Sequence, residues 1–177
     1  MDNILKNNTP IHVRLGNYEN ETYPACEESV NVGPTGVGYH NLTYVELTNG
    51  TGVKKIGPWH ERDAYIYVGT TAMVPTVLIN AHKGQTLDPV VSGAFTVLFA
   101  NTNCFVLGIN TTYGNSSCSL WEQNDVGNAT REVCSDAFMV NCSSTFGWHQ
   151  YRYNKAVCDL ANVLKSTSVY LSSPLEL

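Results

Sequence analysis

The sequence predicts a mainly β protein: an antiparallel β-sandwich or barrel with one short C-terminal helix, stapled by disulfides. Three observations carry this. Short runs of β-branched and aromatic residues recur about every ten positions. Turn-forming clusters separate them. The cysteine count is even, at six.

The predicted strands, in order, are "PIHVRL" (10–15), "NLTYVELT" (41–48), "DAYIYVG" (63–69), "MVPTVLIN" (73–80), "GAFTVLFA" (93–100), "CFVLGIN" (104–110) and "AFMVNC" (137–142). Between them lie "VGPTGVG", "TNGTG", "HKGQT", "TYGNSS" and "DVGNAT", each rich in residues that accept tight turns. Pro75 removes a ladder donor, so its strand is expected at an edge or bulge. In 154–165, Val157, Leu160, Ala161 and Leu164 follow the helical i, i+3, i+4, i+7 pattern, with Asn154 placed to cap and Lys165 to close the last turn. The 177 residues fit one domain, 1–177, with 1–9 and 172–177 expected to fray.

Composition fixes the compartment. Only 14% of residues are charged, so Asn, Thr, Ser and Gly must solvate the surface. Eight Asn-x-Ser/Thr sequons stand at Asn7, Asn20, Asn41, Asn49, Asn110, Asn115, Asn128 and Asn141, where chance gives about 3. N-linked glycans on a secretory-pathway product account for that excess. Cys26, Cys104, Cys118, Cys134, Cys142 and Cys158 agree, as three disulfides of an oxidising compartment. Many pairings are open. The expected one has Cys104–Cys118 and Cys134–Cys142 as local clips and Cys26–Cys158 as the long tie. No leader is visible at Met1, and no apolar window is long enough to span a membrane. A trimmed extracellular segment is therefore expected, tied to a membrane only through sequence beyond it. The net charge of −5, with no basic run, argues against nucleic acid.

Motifs for catalysis are missing. There is no G-x-S-x-G elbow, and Ser92 reads as a turn serine. The five histidines have no metal-binding spacing, and the glycines of 31–41 do not form a phosphate cradle, so neither metal nor cofactor is expected. "PWHE" (58–61) and "WHQYRYNKAVC" (148–158) loosely resemble the two His-bearing segments of T2-type ribonucleases. The second holds one His where two are needed, so acid–base chemistry on RNA is rejected.

Binding remains. Trp, Tyr and Arg make large rigid contacts with a polar edge. The densest cluster is "FGWHQYRYNK" (146–155). The candidate binding residues are Trp59, His60, Trp148, His149, Tyr151 and Tyr153, while Trp121 is assigned to the core. Strand alternation puts Phe146, Trp148, Gln150 and Arg152 on one face and His149, Tyr151, Tyr153 and Lys155 on the other. The stretch reads first as structure, a glycan-free strand feeding the helix, and second as a contact surface formed by His149, Tyr151 and Tyr153. Windows 52–100 and 144–177 carry no sequon, leaving room for a partner.

Dense sequons, paired cysteines and Asn/Thr-rich loops together resemble enveloped-virus surface glycoproteins. "NTNCFVLGINTTYGNSSCSLWE" is similar in texture to coronavirus-type spike N-terminal domains. That resemblance implies attachment to a host cell-surface protein or sialoglycan from the virion surface. The alternative is a secreted binding protein, such as an immune decoy or adhesion module. A secreted hydrolase ranks third.

Overall fold

The computed structural model describes residues 1–34, 38–50, 53–108, 116–163 and 169–171. Its strands are β1 (Ile11–Tyr18), β2 (Thr22–Asn31), β3 (Tyr39–Gly50), β4 (Val53–Thr71), β5 (Val74–Lys83), β6 (Thr86–Leu87), β7 (Gly93–Ala100), β8 (Cys104–Gly108), β9 (Ser117–Gln123), β10 (His149–Arg152) and β11 (Val169–Leu171). Its helices are α1 (Asp2–Lys6), α2 (Asn128–Asn141) and α3 (Lys155–Val163). Each of β1, β2, β3, β4, β5, β7, β8 and β9 pairs antiparallel with the next, and β9 returns to β1. The expected sandwich-or-barrel thus resolves to an eight-stranded up-and-down barrel, the architecture that in lipocalins holds one small ligand.

Alternation builds the interior. On β8, Phe105 and Leu107 join the barrel core with Trp121 of β9, Val77 and Ile79 of β5, and Leu42 of β3. Cys104 and Val106 instead pack outward with Cys118, Leu120 and Phe138 of α2. Strands β8 and β9 are therefore buried on both faces, which explains why they read as continuous apolar runs.

That outer seam corrects two expectations. The run 137–142 is not a strand but the last turn and C-cap of α2. Buried Cys134 and Phe138, four apart, mark its inner stripe, yet a six-residue apolar run shows no period of its own. The local cysteine clips also fail. The bonds are Cys104–Cys134 and Cys118–Cys142, with Cys26–Cys158 as expected. Cys118 stands opposite Gly108, so Cys104 is four residues out of register with it. Cys134 and Cys142 lie about 12 Å apart along one helix, beyond disulfide reach. Both cysteines of each proposed clip face the same seam, and the bonds cross it.

At the end where β1 begins, α1 closes the barrel. Ile4 and Leu5 enter the core and Asn31 Nδ2 donates to the Leu5 carbonyl at 2.9 Å, so the helical part of the stretch expected to fray is packed, while Asn7, Asn8 and Thr9 are exposed. Residues 172–177 lie outside the described residues. Helix α3 forms where the periodicity placed it, with the Val157 N–H donating to Asn154 Oδ1 at 3.3 Å; Leu164 and Lys165 lie outside the described residues.

The β4–β5 hairpin continues past the barrel. Pro75 sits opposite Thr70, beyond the last β5–β7 rung at Thr76–Thr96, so its missing donor costs no ladder bond to β7. The turn itself is Ala72-Met73, both at positive φ (49° and 67°), where Asn-Gly is the usual solution. Replacing the pair by Asn-Gly is expected to stabilise the protein by about 1–2 kcal/mol, seen as a higher denaturation midpoint. An unchanged midpoint would mean that this turn stores no strain.

Candidate ligand-binding site

Strand β10 shapes the open end. Strand β2 pairs with β1 only at Ile11 and His12, and beyond that β10 pairs with β1 over Leu15–Tyr18. It thereby fills the gap in the wall, and the Tyr23 hydroxyl of β2 reaches the Gln150 carbonyl at 3.5 Å. The predicted alternation holds across β10, but the expected contact face turns inward. Tyr151 is 2% exposed, and its hydroxyl accepts the Cys26 N–H at 2.9 Å. His149 stacks against Tyr23 at 6.4 Å and lies 3.4 Å from Asn49 Nδ2. Tyr153 packs on the core, with its ring 4.3 Å from His12.

The other candidates are scattered. Trp148 is half-buried in the turn before β10. Trp59 is half-buried on β4 against the core. The His60 ring lies tilted against Tyr44 at 4.8 Å, and burial lowers its pKa despite the Glu46 carboxylate 3.3 Å away. With β2 and β3 between β4 and β10, the six expected residues make no single surface. Ser92 is structural: its hydroxyl donates to the Ala81 carbonyl and accepts the Ala81 N–H. Among the described residues no group of three acidic, His or Cys side chains could hold a metal.

Among the sequons, Asn7, Asn20, Asn128 and Asn141 are exposed, while Asn41 and Asn49 are partly buried. Asn41 Nδ2 donates to Glu61 Oε1 at 2.5 Å. Asn110 and Asn115 lie outside the described residues.

The structure brings together a different set, inside the barrel. A hollow at the end bearing Asn20 and Val90 is lined by Tyr18, Tyr23, Glu27, Phe95 and Trp121. Its free volume of about 40 Å³ is room for about three water molecules. Glu27 is 5% exposed, and its carboxyl group hydrogen-bonds to nothing among the described residues. Burial, reinforced by nearby Asp88, raises its pKa to about 8. The Tyr18 hydroxyl beside it is buried without a partner as well, and the Tyr18 ring stacks flat on Tyr23 at 4.7 Å. The hollow thus sets a carboxyl group and a hydroxyl group within a largely aromatic wall.

Asp88 differs. Burial opposes its charge, but hydrogen bonds from the Tyr44 hydroxyl (2.6 Å), Arg62 Nε (2.7 Å) and the Val90 N–H (3.0 Å) hold its pKa below the usual range. It is a paired anchor for the segment 84–92, whereas Glu27 is free to engage a ligand. Sequence reasoning missed both. The available signal was a charge inside an apolar strand, Glu27 in "YPACEESV", which alternation alone does not assign to the interior because a bulge shifts register between Ala25 and Glu28.

No curated protein matches the chain. Residues 39–159, more than half of it, match the family model described as tick histamine binding protein. That family lies elsewhere than the viral glycoproteins whose texture the sequence shares, and the matched stretch runs from β3 into α3, carrying Asp88, Phe95 and Trp121 but not Glu27. An eight-stranded barrel with a small, mostly apolar hollow, three disulfides and this match together place the chain in the tick histamine-binding protein family.

Proposed function

We propose that this protein is a secreted binder of a small cationic amine of the histamine class, held inside the barrel. The observation that carries it is Glu27, a buried carboxyl group facing the hollow with no partner. An ammonium group would supply the opposite charge and the missing hydrogen bonds, and the unpaired Tyr18 hydroxyl could accept another. Trp121, Tyr23 and Phe95 offer ring faces to a cation, an attraction strengthened by exclusion of water. The family description points to the same ligand class. The disulfides fit release to an oxidising extracellular space, where such a protein would sequester its ligand.

Calorimetric titration with histamine tests the reading, with N-acetylhistamine, which lacks the aliphatic ammonium, as the contrast. Saturable binding, at least about tenfold tighter than that of the acetylated form, is expected. Equal affinity for both compounds, or no heat up to millimolar ligand, would overturn it.

A further inference from the structure

We infer that the protein carries a second ligand site on the outside of the barrel, built for an amphipathic organic anion with an apolar body and a terminal carboxylate. The site is a cleft of about 640 Å³ between α2 and the β1–β10 pair. Leu15 and Phe138 form its apolar floor, and Met139 and Phe146, 51% and 46% exposed, form walls that have no cover. Gln150 and Arg152 stand on the β10 side. A volume of this size is in the range of small-molecule sites, and the lining is mixed, with Asn17, Gln150, Tyr151 and Arg152 bringing polar groups to the four apolar side chains.

Charge selects the occupant. The guanidinium of Arg152 makes no ion pair or hydrogen bond among the described residues. No Asp or Glu lines the cleft, although the whole chain carries a net charge of −5. The cleft therefore has one formal charge, and it is positive. A planar guanidinium binds a carboxylate through two parallel hydrogen bonds, while a flexible Met and an aromatic ring adapt to an alkyl chain. The β10 strand separates this cleft from the barrel interior: Arg152 serves the outside, while the neighbouring Tyr151 hydroxyl bonds the buried Cys26 N–H. The inference is independent of the amine site.

Decanoate is the probe, titrated calorimetrically into the glycosylated protein. Saturable one-to-one binding is expected. Arg152→Gln should weaken it by about tenfold while leaving decanol binding unchanged. Met139→Trp, which fills the cleft, should abolish both. Glu27→Gln and saturating histamine should have no effect. Since Arg152 and Met139 are exposed, both variants are expected to fold, checked by their denaturation midpoints. Displacement of decanoate by histamine would place it in the barrel and overturn the proposal. So would binding indifferent to both cleft substitutions, binding seen only in Asn141→Gln (a glycan occupying the cleft), or a dimer at working concentration that Met139→Trp dissociates.

Discussion

Glu27→Gln is expected to remove amine binding and, at neutral pH, to stabilise the empty protein. Both effects come from one buried carboxyl group. In the empty barrel its pKa is raised from 4.5 to about 8, so between those values the folded protein holds a proton that the unfolded chain has released. The unfolded state binds fewer protons in this window, so stability falls as pH rises from 4.5 toward 8, and levels off above. At pH 7 the loss relative to pH 4.5 from this group amounts to roughly 3 kcal/mol. Glutamine has no such titration. Urea denaturation at pH 5 and 7.5 should show the variant's advantage widening with pH by roughly that amount. A difference between the two proteins that stays flat with pH would show that Glu27 is solvated in the fold.

The same proton couples to binding. A cation engages the carboxylate and not the carboxylic acid, so below pH 8 uptake of the amine expels the Glu27 proton. Affinity for a monoamine such as phenethylamine should rise about tenfold per pH unit up to the pKa of about 8. Calorimetry in buffers of different ionisation enthalpy should detect about one proton released near pH 6.5. In Glu27→Gln the pH dependence disappears and affinity falls about 100-fold, the scale for losing one partner of a buried charge pair. Binding that keeps its pH profile in the variant would move the ammonium away from Glu27.

The strand content, the long disulfide and α3 were legible in the sequence because each leaves a local mark: alternation, an isolated Cys26, an i, i+3, i+4 stripe. Barrel closure leaves none, since β9 returning to β1 is a pairing over more than 90 residues. Helix α2 was hidden for a related reason. Its apolar face is bought from the outer side of β8 and β9, and Gly127 caps it with no side-chain signal. What the sequence left open in the candidate stretch was sidedness. The aromatic density of 146–155 was real, but β10 lies in the wall, so Tyr151 points into the barrel and Arg152 away from it. Aromatic count marks a region, whereas the unpaired groups Glu27 and Tyr18 mark a site, and pairing is visible only in three dimensions.

Removing Cys26–Cys158 by the double Ser substitution is expected to be the most costly disulfide change and the only one that reaches the ligand site. This bond spans 132 residues, against 24 for Cys118–Cys142. Loop-closure entropy puts the losses at about 5 and about 3.5 kcal/mol respectively. Position matters more than the difference in size. Cys26 sits at positive φ (52°) in the β2 bulge, with its N–H held by Tyr151 and its sulfur by α3, and the next residue is Glu27. A non-glycine residue in that conformation relaxes when its restraints go. Loss of the bond should therefore weaken histamine binding by about tenfold under conditions where the protein remains folded. Cys118–Cys142 ties α2 to the outer face of β9, so its loss should lower the denaturation midpoint and leave histamine affinity unchanged. If the two variants weakened binding equally, the amine would depend on global rigidity and not on the β2 bulge that sets Glu27 in place.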